Sequence, residues 1–73
     1  MIVKRSVAIS GHATSISVED RFWDELRRIA GRRDLPIAAM IAEIDAARDP
    51  ATNLSSAIRL FVLEDAIAHR ASN

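Results

Sequence analysis

The sequence predicts a mainly α-helical fold. An N-terminal β-strand or ribbon precedes two amphipathic helices and an additional C-terminal helix, and the folding unit is a dimer. Three observations carry this. Residues 3–18 alternate apolar and polar with period two. Two later stretches repeat apolar residues at helical spacing. The chain has 73 residues, is 49% hydrophobic and contains no cysteine. So small a core needs a supplement, and without disulfides self-association is the one left.

The first elements follow from the alternation. Val3, Val7 and Ile9 are separated by Lys4, Ser6 and Ala8. After Gly11-His12 the pattern resumes out of phase, with Ile16 and Val18 apolar and Ser15 and Ser17 polar. β-branched residues at period two argue for extended chain. Gly11 marks a turn or a kink. Two arrangements fit: residues 1–12 form the first strand of a hairpin, or an arm ahead of a ribbon strand over 13–18.

The first helix is expected over 19–33. Ser17 and Asp20 have the spacing of a capping box, and Glu19 and Asp20 suit the positive end of the helix dipole. Phe22, Leu26, Ile29 and Ala30 form one apolar face with Trp23 on its shoulder, so the aromatics read as core. Arg27, Arg28, Arg32 and Arg33 crowd the C-terminal turn, and Gly31 weakens it. Asp34-Leu35-Pro36 connects to a second helix over 36–48, where proline is suited to the first position. Its stripe is Ile37, Met40, Ile41 and Ile44. Pro50 breaks the chain, and Asn53 is a good N-cap for a third helix over 53–68. That helix is apolar around most of its circumference: Leu54, Ile58, Phe61 and Val62 on one side, Leu60, Leu63 and Ile67 on another. Burial from two directions in so short a chain implies a partner subunit. His69 to Asn73 reads as a fraying tail. The whole is one domain, 1–73.

Charge and chemistry exclude much. Ten Lys/Arg balance ten Asp/Glu. Residues 1–33 hold seven cations and four anions, a balance of +3. Residues 34–73 hold three and six, a balance of −3. The asymmetry points the first half toward a polyanion. No apolar run approaches the roughly 18 residues of a membrane span, and no signal peptide opens the chain, so a cytoplasmic protein is expected. No thiol nucleophile, Gly-rich phosphate loop or histidine pair at metal-ligand spacing is present. The expectation is therefore no enzyme, no cofactor and no metal. His12, beside Gly11, is a candidate contact for a phosphate or base.

The order of parts points to nucleic acid. A lone strand must pair to satisfy its backbone, and the simplest partner is the same strand of a second subunit. Such a ribbon would turn Ile16 and Val18 onto the helices and Ser15, Ser17 and Ala13 outward. The DNA major groove admits a two-stranded ribbon. The segment Thr14-Ser15-Ile16-Ser17-Val18-Glu19-Asp20-Arg21-Phe22-Trp23-Asp24-Glu25-Leu26 resembles the strand and first helix of a ribbon-helix-helix domain. Leu35-Pro36-Ile37-Ala38-Ala39-Met40-Ile41-Ala42-Glu43-Ile44 resembles its turn and second helix. With Lys4-Arg5-Ser6-Val7, Gly11-His12, Ala42-Glu43-Ile44-Asp45 and Asn53-Leu54-Ser55-Ser56-Ala57-Ile58-Arg59, the chain is similar to a family of short ribbon-helix-helix proteins common in alphaproteobacteria.

The resemblance implies an obligate homodimer that regulates transcription by inserting an antiparallel ribbon in the major groove. Ser15 and Ser17 would read bases. Lys4 and Arg5 would hold phosphates or reach bases. The second helix would offer backbone N–H groups at Ile37 and Ala38 to a phosphate, with Arg32 and Arg33 adding charge. Family members often carry Ser, Thr or Asn at that helix start. Pro36-Ile37-Ala38 instead removes one N–H and supplies no side-chain donor. A second reading keeps the scaffold but makes it a protein-interaction module, such as an antitoxin or adaptor, with the third helix meeting a protein partner.

Overall fold

The computed structural model describes residues 1–71. Two strands, β1 (Ile2–Ile9) and β2 (His12–Glu19), precede three helices, α1 (Asp20–Arg32), α2 (Ile37–Ala47) and α3 (Leu54–Ala71). The strands form an antiparallel hairpin in which Ile2 pairs with Glu19 and Ile9 with His12. Of the two arrangements compatible with the sequence, the hairpin is the one adopted. The ribbon strand expected to need a second subunit finds its partner in its own chain. The reason is local: Ser10 (φ 51°) and Gly11 (φ 82°) both take positive φ. That is the geometry of a two-residue hairpin turn whose twist matches its strands, and so short a loop costs little closure entropy.

The hairpin also displaces the expected capping box. Residue Glu19, extended and without a side-chain cap bond, occupies the N-cap of α1. Ser17 lies within β2, and the Asp20 amide donates instead to the Met1 carbonyl at 3.2 Å. Strand pairing thus runs up to the helix and uses the amide that a cap would have held. At its other end α1 stops through backbone geometry. Asp34 adopts a left-handed φ of 56°. The Leu35 amide reaches the Ala30 carbonyl at 2.8 Å, and the Asp34 amide reaches that of Gly31 at 3.1 Å. This is a Schellman closure with Asp where Gly is commoner.

Asn53 caps α3 as expected: its Oδ1 accepts from the Ser56 amide at 2.8 Å. α3 continues through His69 and Arg70 to Ala71, past the expected end at 68. A ring nitrogen of His69 lies 2.8 Å from the Asp65 carbonyl, and cations suit a helix C-terminus. Residues 72–73 of the expected tail lie outside the described residues.

The core sits where one face of the hairpin meets all three helices. Ile16 and Val18 from β2, Leu26 and Ile29 from α1, Met40 and Ile41 from α2, and Ile58 from α3 are fully buried. No polar side chain is buried among the described residues. Phe22 and Trp23 pack half-buried against this core, as read from the sequence. Each large buried side chain contributes roughly 1.5–3 kcal/mol.

Candidate nucleic-acid interface

The register sorts the hairpin residues onto two faces. Val3, Val7 and Ile9 of β1 share the inner face with Ile16 and Val18 of β2. The outer face carries the cross-strand pairs Lys4–Ser17, Ser6–Ser15 and Ala8–Ala13. Lys4, Ser6, Ala8, Ala13 and Ser15 are exposed, and Ser17 is half-buried. This face is a two-stranded ribbon with small side chains and one cation. At about 3.4 Å per residue, eight residues make it roughly 27 Å long.

The register brings Lys4, from the segment whose pairing the sequence left open, onto one face with Ser15 and Ser17. Ser6, Ala8 and Ala13 complete the surface, and Ser6 and Ala8 are candidate contacts that sequence reasoning left out. Their signal was the phase change across Gly11. A two-residue turn pairs odd positions of one strand with even positions of the other, and this is the shift seen in the apolar pattern.

Arg5 lies on the opposite face. Its guanidinium sits 4.5 Å from the centroid of the Trp23 ring, and Nη2 donates to Asp20 Oδ1 at 3.2 Å. A one-residue step in a strand reverses the side chain's direction, which separates Arg5 from Lys4. His12 is exposed at the hairpin tip, in register with Ile9.

Arg32 and Arg33 are held by carboxylates of this chain. Arg32 Nη2 donates to Asp65 Oδ1 at 2.5 Å, and Arg33 Nη2 to Glu43 Oε1 at 3.4 Å. Asp65 also faces Arg28 at 3.7 Å and His69 at 3.6 Å. The Arg32 hydrogen bond, reinforced by these neighbours, holds the Asp65 carboxyl below its ordinary range. Ile37 and Ala38 are half-buried at the start of α2. Pro36 precedes them as an N-cap with no side-chain bond.

α3 holds one end of the β2 edge, at Ser17. The Ser17 amide donates to Ser55 Oγ at 3.0 Å, and the Ser17 carbonyl accepts from Arg59 Nη2 at 3.2 Å. Arg59 Nε also donates to Glu19 Oε1 at 2.8 Å. That bond is the main cause holding the Glu19 carboxyl below its ordinary range. Since the Ser17 backbone groups point away from β1, Lys4–Ser17 is a non-hydrogen-bonded pair. By the alternation of antiparallel ladders, Ser6–Ser15 and Ala8–Ala13 are too. The backbone groups of Lys4, Ser6 and Ala8 therefore face the open edge of β1.

No helix among the described residues is long and apolar enough to cross a membrane. No group of three metal-ligating side chains stands together among them. A family model described as a ribbon-helix-helix domain matches residues 2–66. No curated protein and no solved structure matches the chain.

Proposed function

Because the chain belongs to the ribbon-helix-helix domain family, we propose that it is a sequence-specific DNA-binding regulator acting as a homodimer in the bacterial cytoplasm. The outer face of the β1–β2 hairpin enters the major groove. The observation that supports this reading is that face itself: two strands wide, built of Lys4, Ser6, Ala8, Ala13, Ser15 and Ser17. A ribbon of this width fits the groove. Serine hydroxyls donate to or accept from either base type, and alanine methyls suit the thymine methyl. Lys4 supplies the cation for a phosphate or a guanine edge. With zero net charge, nonspecific affinity is modest, because it comes from phosphate neutralisation.

The test is binding of the purified chain to genomic DNA fragments across a salt series. Lys4→Ala is expected to weaken binding and to lower the slope of log K against log salt by roughly 0.9 for each phosphate no longer neutralised. Ser15→Ala is expected to relax sequence preference and leave that slope unchanged. Absence of any salt-sensitive binding would sink the proposal. A protein-interaction role is the second reading, favoured by the half-exposed Leu60, Leu63 and Ile67 on α3.

A further inference from the structure

The junction between hairpin and helices has no linker: β2 ends at Glu19 and α1 begins at Asp20. Two arginines from distant elements grip it. Arg5 of β1 lays its guanidinium 4.5 Å from the centroid of the Trp23 ring and donates through Nη2 to Asp20 Oδ1 at 3.2 Å. Arg59 of α3 stands 6.0 Å from the centroid of the Phe22 ring and donates through Nε to Glu19 Oε1 at 2.8 Å. Each clasp is a carboxylate and an aromatic ring three residues apart, with an arginine across them. Glu19–Phe22 and Asp20–Trp23 are the same pattern moved on by one residue, which is about 100° around a helix. Arg59 Nη2 also donates to the Ser17 carbonyl at 3.2 Å. β1 is thus tied to the start of α1, and the end of β2 to α3.

We propose that these two clasps fix the angle at which the hairpin leaves the helices, and that Arg5, Asp20, Glu19 and Arg59 are positioning residues that aim the Lys4–Ser17 face without touching DNA. The aiming role rests on the DNA reading above; the fixed angle does not. The apolar seat of Ile9, Ile16 and Val18 holds the hairpin against the helices, but apolar burial is non-directional. A planar guanidinium stacked on a ring and bonded to a carboxylate has a defined orientation. One such tether leaves a pivot, and a second from another direction removes it. The clasps contribute little to stability. Their charged side chains are between 30% and 53% exposed, so the pairs are screened. Arg5 Nε is buried without a hydrogen-bond partner among the described residues, which costs free energy. What they supply is direction, and direction matters at the hairpin's length. With the tip about 27 Å from the junction, a tilt of about 10° moves it by about 5 Å. No hydrogen bond to a base edge survives such a shift.

The experiment reads the angle and DNA binding separately. Spin labels at His12→Cys, on the exposed hairpin tip, and Arg27→Cys, exposed on α1, enter a chain that has no other thiol. Dilution with unlabelled chain leaves the distance within one copy to pulsed electron resonance. Asp20→Asn and Glu19→Gln each weaken one clasp at a partly exposed side chain, and circular dichroism checks that helicity is kept. Each is expected to broaden the distance distribution. In unlabelled chains each is expected to weaken DNA binding severalfold, with the slope against log salt unchanged because no phosphate contact is lost. The sign is decisive: removing a negative charge by itself strengthens binding to a polyanion, so weaker binding reports a misaimed ribbon. Arg5→Met is expected to act in the same direction, again at constant slope. Distances unchanged by either carboxylate variant, tighter DNA binding by either, a lower slope for Arg5→Met, or broadened distances at unaltered affinity would each overturn the proposal. Broadened distances in a protein whose wild-type chain binds no DNA would overturn the DNA reading and leave the fixed angle standing.

Discussion

The outward faces of the hairpin and of α3 are opposites. Over Lys4–Ser17 the hairpin shows water a cation, three serines and two alanines. α3 shows three half-exposed aliphatic side chains. Both elements bury one side in the same core, so the core does not explain the contrast. The difference teaches that burial on one side leaves the other side free to carry a separate chemistry. A polar, flat strand face suits solvent or a hydrated polyanion, whereas the outer side of α3 keeps aliphatic surface in contact with water.

The largest expected effect tests whether the two sides of α3 differ in energy as they do in exposure. Ile58→Ala removes a fully buried side chain and should cost about 2–4 kcal/mol in urea unfolding, at every protein concentration. Leu63→Ala, which truncates a half-exposed side chain, should cost well under about 1 kcal/mol in the same assay. Equal losses would erase the distinction.

Arg59 joins the two regions. Arg59→Ala leaves the Ser17 carbonyl without its α3 donor, a loss of about 1–2 kcal/mol for that group. It should also speed exchange of the Ser17 amide, because Arg59 and Ser55 tie the carbonyl and amide of the same residue to α3. Unchanged exchange at Ser17 would show that α3 does not guard this edge.

The corner between α1 and α2 offers a smaller gain. Asp34 holds a left-handed φ of 56°, which glycine adopts freely. Asp34→Gly should raise stability by up to about 1 kcal/mol, read as a higher thermal midpoint. A lower midpoint would mean that the Asp34 side chain contributes more than its backbone costs.

Acid should act most weakly, through two carboxylates. Glu19 and Asp65 are both held below their ordinary range, by Arg59 and Arg32 respectively. A lowered carboxyl stabilises fully above its unfolded value, about pH 4. That contribution is lost as pH falls through the lowered folded value. Urea midpoints should therefore hold from about pH 7 to 5 and decline below about 4, with a shallower decline for Asp65→Asn. The exposed parts of these pairs are screened, so the change is small. An identical acid limb in Asp65→Asn would show that the Asp65 clasp adds nothing to stability.

Much of this was legible from residue patterns. Period two marked both strands, helical spacing marked three helices, and Asn53 announced the start of α3. The site was legible in part. Ser15 and Ser17 follow from their place opposite Ile16 and Val18. Ser6 and Ala8 required the register, which a turn with two positive-φ residues decided. Arg5 was placed with Lys4 by adjacency, but a strand sends neighbours to opposite faces. Arg32 and Arg33 looked available beside α2. Their partners, Asp65 and Glu43, lie 33 and 10 residues away, and no local pattern reports such pairings.

The sequence by itself determined the elements, the side that the ribbon strand, α1 and α2 each bury, and the family to which the chain belongs; for α3 it predicted burial on two sides, whereas Leu60, Leu63 and Ile67 stand half-exposed. Periodicity, capping and turn chemistry act over a few residues, so they are written locally. Only the tertiary structure decided that β2 pairs within its own chain, that α3 holds the β2 edge at Ser17, and that the arginines at the C-terminal end of α1 pair with the chain's own carboxylates. Those outcomes depend on distances between residues far apart in sequence, which packing around a shared core fixes and local propensity does not.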